Sequence, residues 1–275
     1  MIWLSISLFS NKANWHRLLN EAIAPFVQAN PQLKGYYVAF NYLSGENIRL
    51  TLLTHLGNEQ ALAAIADSHF KNYFEKAHLS QQPLKLPVDG CFMPFPANTI
   101  QYGLYPPLTI SVDDLEACEL SINISKIIVA ALQDEIDDET ILTFAFYLQI
   151  SLVKTIYNTL RDADALFAIV TPANAFKADD NALSNLCLMK EIADDVMQIE
   201  EFDSELNWLN GWIDDCKNTL LKASKIEANN ISKIKSIYHL RVQTVYTHLG
   251  INVHGKDMLN YFIVKSLERR LLASK

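Results

Sequence analysis

Six prolines between positions 83 and 107 (Pro83, Pro87, Pro94, Pro96, Pro106 and Pro107) divide this chain into two stretches of different character. A proline has no backbone N–H and its ring clashes with the preceding helical turn, so residues 80–107 cannot form one helix. The pattern predicts a long ordered excursion with a short strand around Thr99 to Leu104. Before it, Trp3-Leu4-Ser5-Ile6-Ser7-Leu8-Phe9 nearly alternates as a strand does, and Trp15 to Ala24 has a helical spacing before Pro25. Tyr36 to Tyr42, a Ser44-Gly45 turn and Asn47 to Leu53 form an antiparallel hairpin whose second arm ends near His55. Gly57-Asn58 is a turn, and Glu59 to Glu75 reads as a helix.

From Ser111 onward the chain reads as helical. Asp113-x-x-Glu116 has the form of an N-terminal cap, Asp137 or Asp138 caps the next helix, and Pro172 marks a later stop. Further helices are expected across Asn181 to Glu200, Phe202 to Lys222, Ile231 to Leu249 and Asp257 to Leu271. The fold class is therefore α+β: an antiparallel sheet-rich N-terminal part, residues 1–110, packed with a mainly helical part, residues 111–275, in a single unit.

Half of the 275 residues are apolar and 20% are charged, which provides for a well-filled core and argues against a disordered chain. The net charge of −8 comes with only a scattered basic set, Lys222, Lys225, Lys233 and Lys235. Direct nucleic-acid binding needs concentrated cationic charge and is not expected. Cys91, Cys118, Cys187 and Cys216 form no C-x-x-C pair and no secretory signal pattern opens the sequence, so the expectation is a cytoplasmic protein with reduced thiols. The most apolar stretch, Ile141 to Leu160, is interrupted by Gln149, Ser151, Lys154, Thr155 and Asn158, and reads as a core helix rather than a membrane span. The seven histidines show no metal-ligand spacing, so no zinc site is expected. Asp194-Asp195 and Glu200-Glu201 are adjacent carboxylates that diverge on a helix, and they read as solvated faces.

Two residues carry chemistry. Arg49 sits between apolar neighbours in the second hairpin arm, where a permanently charged guanidinium invites an anionic partner; the plain alternative is a residue on the solvated face of a strand. His239 titrates near working pH and lies one helical turn from Gln243, with which it shares a side; the alternative is an ordinary core or surface histidine. Tyr102 and Tyr105, beside Pro106-Pro107, read first as packing under a loop.

In order and spacing these segments resemble the C-terminal elimination domain of class I lantibiotic dehydratases, found also as stand-alone thiopeptide-type bacteriocin biosynthesis proteins. The Trp3 strand and the Trp15-x-x-Leu18-Leu19 helix are similar to its opening. Asn47-Ile48-Arg49-Leu50-Thr51 stands where that family has H-L-R-L-R, and Thr99-Ile100-Gln101-Tyr102-Gly103 where it has E-R-Y-G-G. Ser236-Ile237-Tyr238-His239-Leu240 is similar to its late S-x-x-H-M helix, with Gln243-Thr244 in place of an N-R pair.

The resemblance implies a lyase that removes glutamate from a glutamylated serine or threonine of a ribosomally made precursor peptide, leaving a dehydroamino acid. It implies His239 and Arg49 as catalytic residues, with Asn47, Thr51, Gln101, Tyr102, Arg241 and Gln243 as substrate contacts, and no cofactor. The partners implied are the precursor peptide and a separate subunit that uses glutamyl-tRNA to install the ester. Thr51 and Gln101 replace two arginines of the family pattern, and each preorganised donor lost at an anionic transition state commonly costs roughly 10²–10³ in rate. That substitution keeps two further readings open: a non-catalytic peptide-binding or scaffolding subunit, and a ring-forming relative similar to thiopeptide pyridine synthases.

Overall fold

The computed structural model describes residues 1–77, 79, 95–104, 115–171, 180–203, 206–226 and 231–272. The caps expected at Asp113 and the stop at Pro172, together with Tyr105 and most of the proline-rich excursion, lie outside them. The chain falls into two compact units: residues 1–137 with 247–250, and residues 138–246 with 251–275.

The first unit is built on a four-stranded sheet of β1 (Ile2–Phe9), β2 (Gly35–Asn41), β3 (Asn47–Thr54) and β4 (Thr99–Tyr102), in the order β2-β3-β1-β4. Every neighbouring pair is antiparallel. The period-two alternation of β1 to β3 sends one set of side chains to a wholly apolar face: Ile6 and Leu8, Val38 and Phe40, Ile48, Leu50 and Leu52 are all fully or almost fully buried. Helical segments cover that face. They are α1 (Trp15–Arg17), a wide π-turn over Leu18–Ile23, α2 (Ala24–Ala29) and α3 (Glu59–Lys76). The Trp15 ring stacks on Phe40 at 4.7 Å, Phe26 meets Phe70 at 5.2 Å, and Tyr102 Oη donates to the Ala63 carbonyl of α3 at 3.2 Å. Pro25 does not end the first helix, which continues to Ala29. The π-turn just before it widens the coil where a proline ring would otherwise strike the carbonyl four residues back, so the chain absorbs the proline.

The hairpin turn needs left-handed backbone at Ser44 and Gly45, with φ of 61° and 114°, and Asn47 staples it by donating from Nδ2 to the carbonyls of Leu43 and Gly45. On the outer edge of β2 both backbone groups of Val38 are met by side chains. At Val38 the N–H donates to Ser125 Oγ of α4 (Leu115–Ala131) at 2.9 Å, and the carbonyl accepts from His248 Nδ1 at 2.6 Å. Gly250 follows with φ of 64°, and a β-carbon there would lie 2.7 Å from the Phe40 carbonyl oxygen, so glycine is required on two counts.

The second unit is helical. It holds α5 (Asp138–Leu160), α6 (Ala163–Val170), α7 (Asp180–Gln198), α8 (Asn207–Ile226), α9 (Ile231–His248) as far as Tyr246, and α10 (Val253–Leu272). α5 is the hub, touching α6, α7, α8 and α10. By length and composition it is long and apolar enough to cross a membrane, but 67% of that window is buried inside the protein. Arg161, at φ 55°, breaks the coil after α5, and Asp162 starts α6 by accepting the Ala165 N–H at 3.0 Å. Gln149 of α5 links three helices: it donates to Tyr238 Oη (2.8 Å) and Asn260 Oδ1 (3.1 Å) and accepts from Tyr246 Oη (2.8 Å). Nearby, Trp212 Nε1 donates to the Leu148 carbonyl at 2.8 Å.

His248 gives the first unit a pH dependence. Burial lowers its pKa from the ordinary 6.5 to about 4, against the opposing effect of its bond to Val38. Between those values the unfolded chain takes up the proton and the folded chain does not, so stability is full above pH 6.5 and falls as the pH drops to 4. The loss is expected to reach about 3 kcal/mol. Urea midpoints at pH 7 and pH 4.5 will show it, and His248→Asn, which keeps a donor for Val38 but does not titrate, will reduce the difference.

Candidate functional site

The second face of the sheet is polar. Across β2, β3, β1 and β4 the register aligns Ala39, Arg49, Ser7 and Gln101 in one row, and directly opposed residues share a face. The adjoining rows add Tyr37, Thr51 and Ser5 on one side and Asn41, Asn47, Phe9 and Thr99 on the other. Ser5, Ser7, Asn47 and Thr51 are buried, while Arg49 and Gln101 are half-buried at the level where solvent begins. Strand spacing puts Arg49 and Gln101 about 10 Å apart with Ser7 midway. The aromatic contact of Trp3 with Tyr37, centroids 4.3 Å apart, bounds the face.

The sequence-derived residues separate into two sets. Asn47, Arg49, Thr51, Gln101 and Tyr102 belong to the first unit, and His239, Arg241 and Gln243 to the second. The sheet brings Arg49 and Gln101 into one row. Asn47 is the turn staple, and Tyr102 points to the apolar face, where it anchors β4 to α3. Burial and the nearby Asp67 push its hydroxyl up to about 12, so it is protonated at any working pH. The serines of β1 went unnoticed in the sequence; only their polar alternation within an otherwise apolar strand marks them.

On α9, His239 and Gln243 are both exposed and one turn apart. Partial burial and the nearby Lys235 lower the His239 pKa, favouring the neutral ring that accepts a proton. Lys256 donates to Gln243 Oε1 at 3.4 Å. Arg241, by contrast, is 4% exposed, and its donors are engaged inside the second unit. It pairs with Asp215 at 2.7 Å, donates to Thr219 Oγ1 and lies 5.3 Å above the Trp212 ring. Beside it, burial pushes the Cys216 thiol up to about 12.

A cavity of about 530 Å³ opens in the second unit among Lys154, Asn158, Glu200, Asp214 and Lys217. None of the sequence-derived residues lines it. Lys154 closes the end of α7 by donating to the Val196 and Ile199 carbonyls, and Lys217 is paired with Asp214. Its two lysines are thus engaged in contacts within the second unit. Among the described residues no group of three His, Cys, Asp or Glu is placed to hold a metal ion.

A small antiparallel sheet with one apolar and one polar face, followed by a helical unit, defines the fold. No protein-family model matches the sequence, and no curated protein matches it significantly. Solved structures do share the fold. The pyridine synthase TbtD from thiomuracin biosynthesis is similar over 99% of this chain and 100% of its own, with a TM-score of 0.67 at 16% identity. The tRNA-dependent lantibiotic dehydratase MibB from Microbispora sp. 107891 matches 99% of this chain at a TM-score of 0.62 and 9% identity, and the chain spans 28% of its length. TsrL matches 98% of this chain and 95% of its own, with a TM-score of 0.57 at 10% identity.

The placement of Arg241 has a measurable consequence. Truncating it strands Asp215, whose side chain keeps 29% exposure, so Arg241→Ala is expected to lower stability by roughly 2–4 kcal/mol, at or below the range for fully buried pairs. Arg49→Ala, at a half-buried position of the sheet, is expected to change it less, by about 1 kcal/mol. Thermal melts of the two variants will show the contrast.

Proposed function

We infer that this chain modifies a ribosomally made precursor peptide in lantibiotic- or thiopeptide-type biosynthesis, by eliminating glutamate from a glutamylated serine or threonine. The observation that carries the reading is Arg49, a permanent cation in mid-strand on a polar, half-buried sheet face, at the position of an arginine in the elimination-domain pattern. The similarity of fold to the lantibiotic dehydratase MibB supports it.

In the elimination a base takes the α-proton, the electron pair forms the Cα–Cβ double bond, and the Cβ–O bond breaks to release glutamate through its ester carboxylate. Arg49 suits the departing carboxylate, to which a guanidinium donates two parallel hydrogen bonds. Thr51, Gln101 and Gln243 are assigned to substrate contacts through neutral donors. His239 is assigned to acid–base transfer, and its lowered pKa keeps it in the accepting form at neutral pH. Conversion should therefore hold steady on the acid side until the pH falls below the ordinary histidine value.

A second reading is favoured by one observation. The correspondence with the pyridine synthase TbtD covers both chains end to end, whereas the chain spans only part of the dehydratase. A ring-forming enzyme acts on a peptide that already carries dehydroalanines, and it does not need the full arginine set.

Mass spectrometry of two synthetic peptides after incubation with the protein separates the readings, one bearing a glutamylated serine and the other two dehydroalanines. Loss of the glutamyl adduct with appearance of a dehydro residue, reduced at least about 100-fold in Arg49→Ala and in His239→Ala, is the expected result. Turnover of the second peptide alone establishes the ring-forming reading. No change in either, with binding retained, leaves a peptide-binding subunit.

A further inference from the structure

Ser7 occupies the centre of the polar row, with Arg49 opposed to it on β3 and Gln101 on β4. It is 1% exposed, and its hydroxyl makes no hydrogen bond among the described residues. Ser10 and Ser121 of the same unit are also buried with unmet hydroxyls, but Ser125 shows how one is satisfied: its Oγ accepts the Val38 N–H at 2.9 Å and donates to the Ser121 carbonyl at 2.8 Å. An unmet hydroxyl carries a desolvation penalty that alanine would avoid, so its presence in a core strand calls for a partner that arrives later.

The chemistry of the row decides what that partner is. A guanidinium has donors only, so Ser7 can accept from Arg49 but cannot donate to it. Ala39 offers nothing. The one side-chain acceptor opposed to Ser7 is Oε1 of Gln101. Opposed residues on neighbouring strands bring their β-carbons to about 5 Å, within reach of a hydroxyl and a glutamine amide.

We propose that Ser7 is a positioning residue for Gln101: its hydroxyl donates to Gln101 Oε1 when peptide binds, turning the two Nε2 hydrogens outward to hold a carboxylate or carbonyl oxygen of the substrate together with Arg49. Gln101 thereby supplies, as a neutral and oriented donor, part of what an arginine at its position would supply as charge. The proposal deepens the function inferred above and rests on the sheet face being the peptide site. It does not depend on which of the two reactions follows.

The test measures binding and stability apart from turnover. Fluorescence anisotropy of the two labelled synthetic peptides gives dissociation constants for the wild type, Ser7→Ala, Ser7→Thr, Gln101→Met and the Ser7→Ala/Gln101→Met double variant, with melting temperatures alongside. Ser7→Ala is expected to melt at or above the wild-type temperature and to weaken binding about tenfold, the worth of one good hydrogen bond. Gln101→Met should weaken it equally, the double variant no further, and Ser7→Thr should recover most of the affinity because it keeps the hydroxyl. Unchanged binding in Ser7→Ala, single losses that multiply in the double variant, or a melting temperature lowered by several degrees would overturn the role. A wild type that binds peptide without converting it sinks the elimination reading and leaves the role of Ser7 measured. A wild type that binds neither peptide sinks both.

Discussion

The register between β1 and its two neighbours is the constraint on which the first unit rests. Side chains alternate with a period of two, so a slip of β1 by one residue would exchange its faces, sending Ile6 and Leu8 outward and turning Ser5 and Ser7 against the helices. Nothing in the row of Ala39, Arg49, Ser7 and Gln101 is local in sequence; it exists because three antiparallel pairings agree. The apolar face fixes that agreement. Its residues have no exposure to spare, and the energy of burying them holds the polar residues in place on the other side.

The second unit is organised by different means. Its helices are specified by a few polar contacts set into apolar surroundings, chiefly Gln149 with Tyr238, Tyr246 and Asn260, and Arg241 with Asp215 and Trp212. Satisfied networks of this kind admit few alternative packings, since any shift leaves a buried group unmet. They also explain why a helix as apolar as α5 carries Gln149, Ser151 and Thr155. Each has a partner: the tyrosines for the first, and the Tyr147 and Ser151 carbonyls for the others.

Much of this architecture was legible in the sequence. The hairpin, the Thr99 strand, the core helix and the later helices lie where alternation, apolar spacing and turn residues put them. Two helix boundaries have local causes. The helical spacing of Trp15 to Ala24 continues past Pro25 to Ala29, because the irregular π-turn ahead of the proline makes room for its ring. The core helix does end at Leu160 as read from the sequence, and the break is made without glycine or proline: Arg161 takes left-handed backbone before the Asp162 cap. Within the candidate site, Arg49 stood out because a charge among apolar residues is visible in one dimension. Ser7 did not, since its significance depends on which residues face it across two strands.

The closing of β2 at Val38 has a consequence for how the chain comes into being. Its outward backbone groups at Val38 are met by α4 and by His248, and the second of these lies 210 residues further along the chain. While the polypeptide emerges from the ribosome, β2 and β3 can pair early, but the Val38 carbonyl stays open until residue 248, at the end of α9, has been made. An open strand edge is a template for unwanted pairing. The border at Val38 therefore stays open while the 210 residues that separate it from His248 are made. A chain truncated before residue 248 would lack the imidazole that meets the Val38 carbonyl and would present that part of the strand edge to other chains.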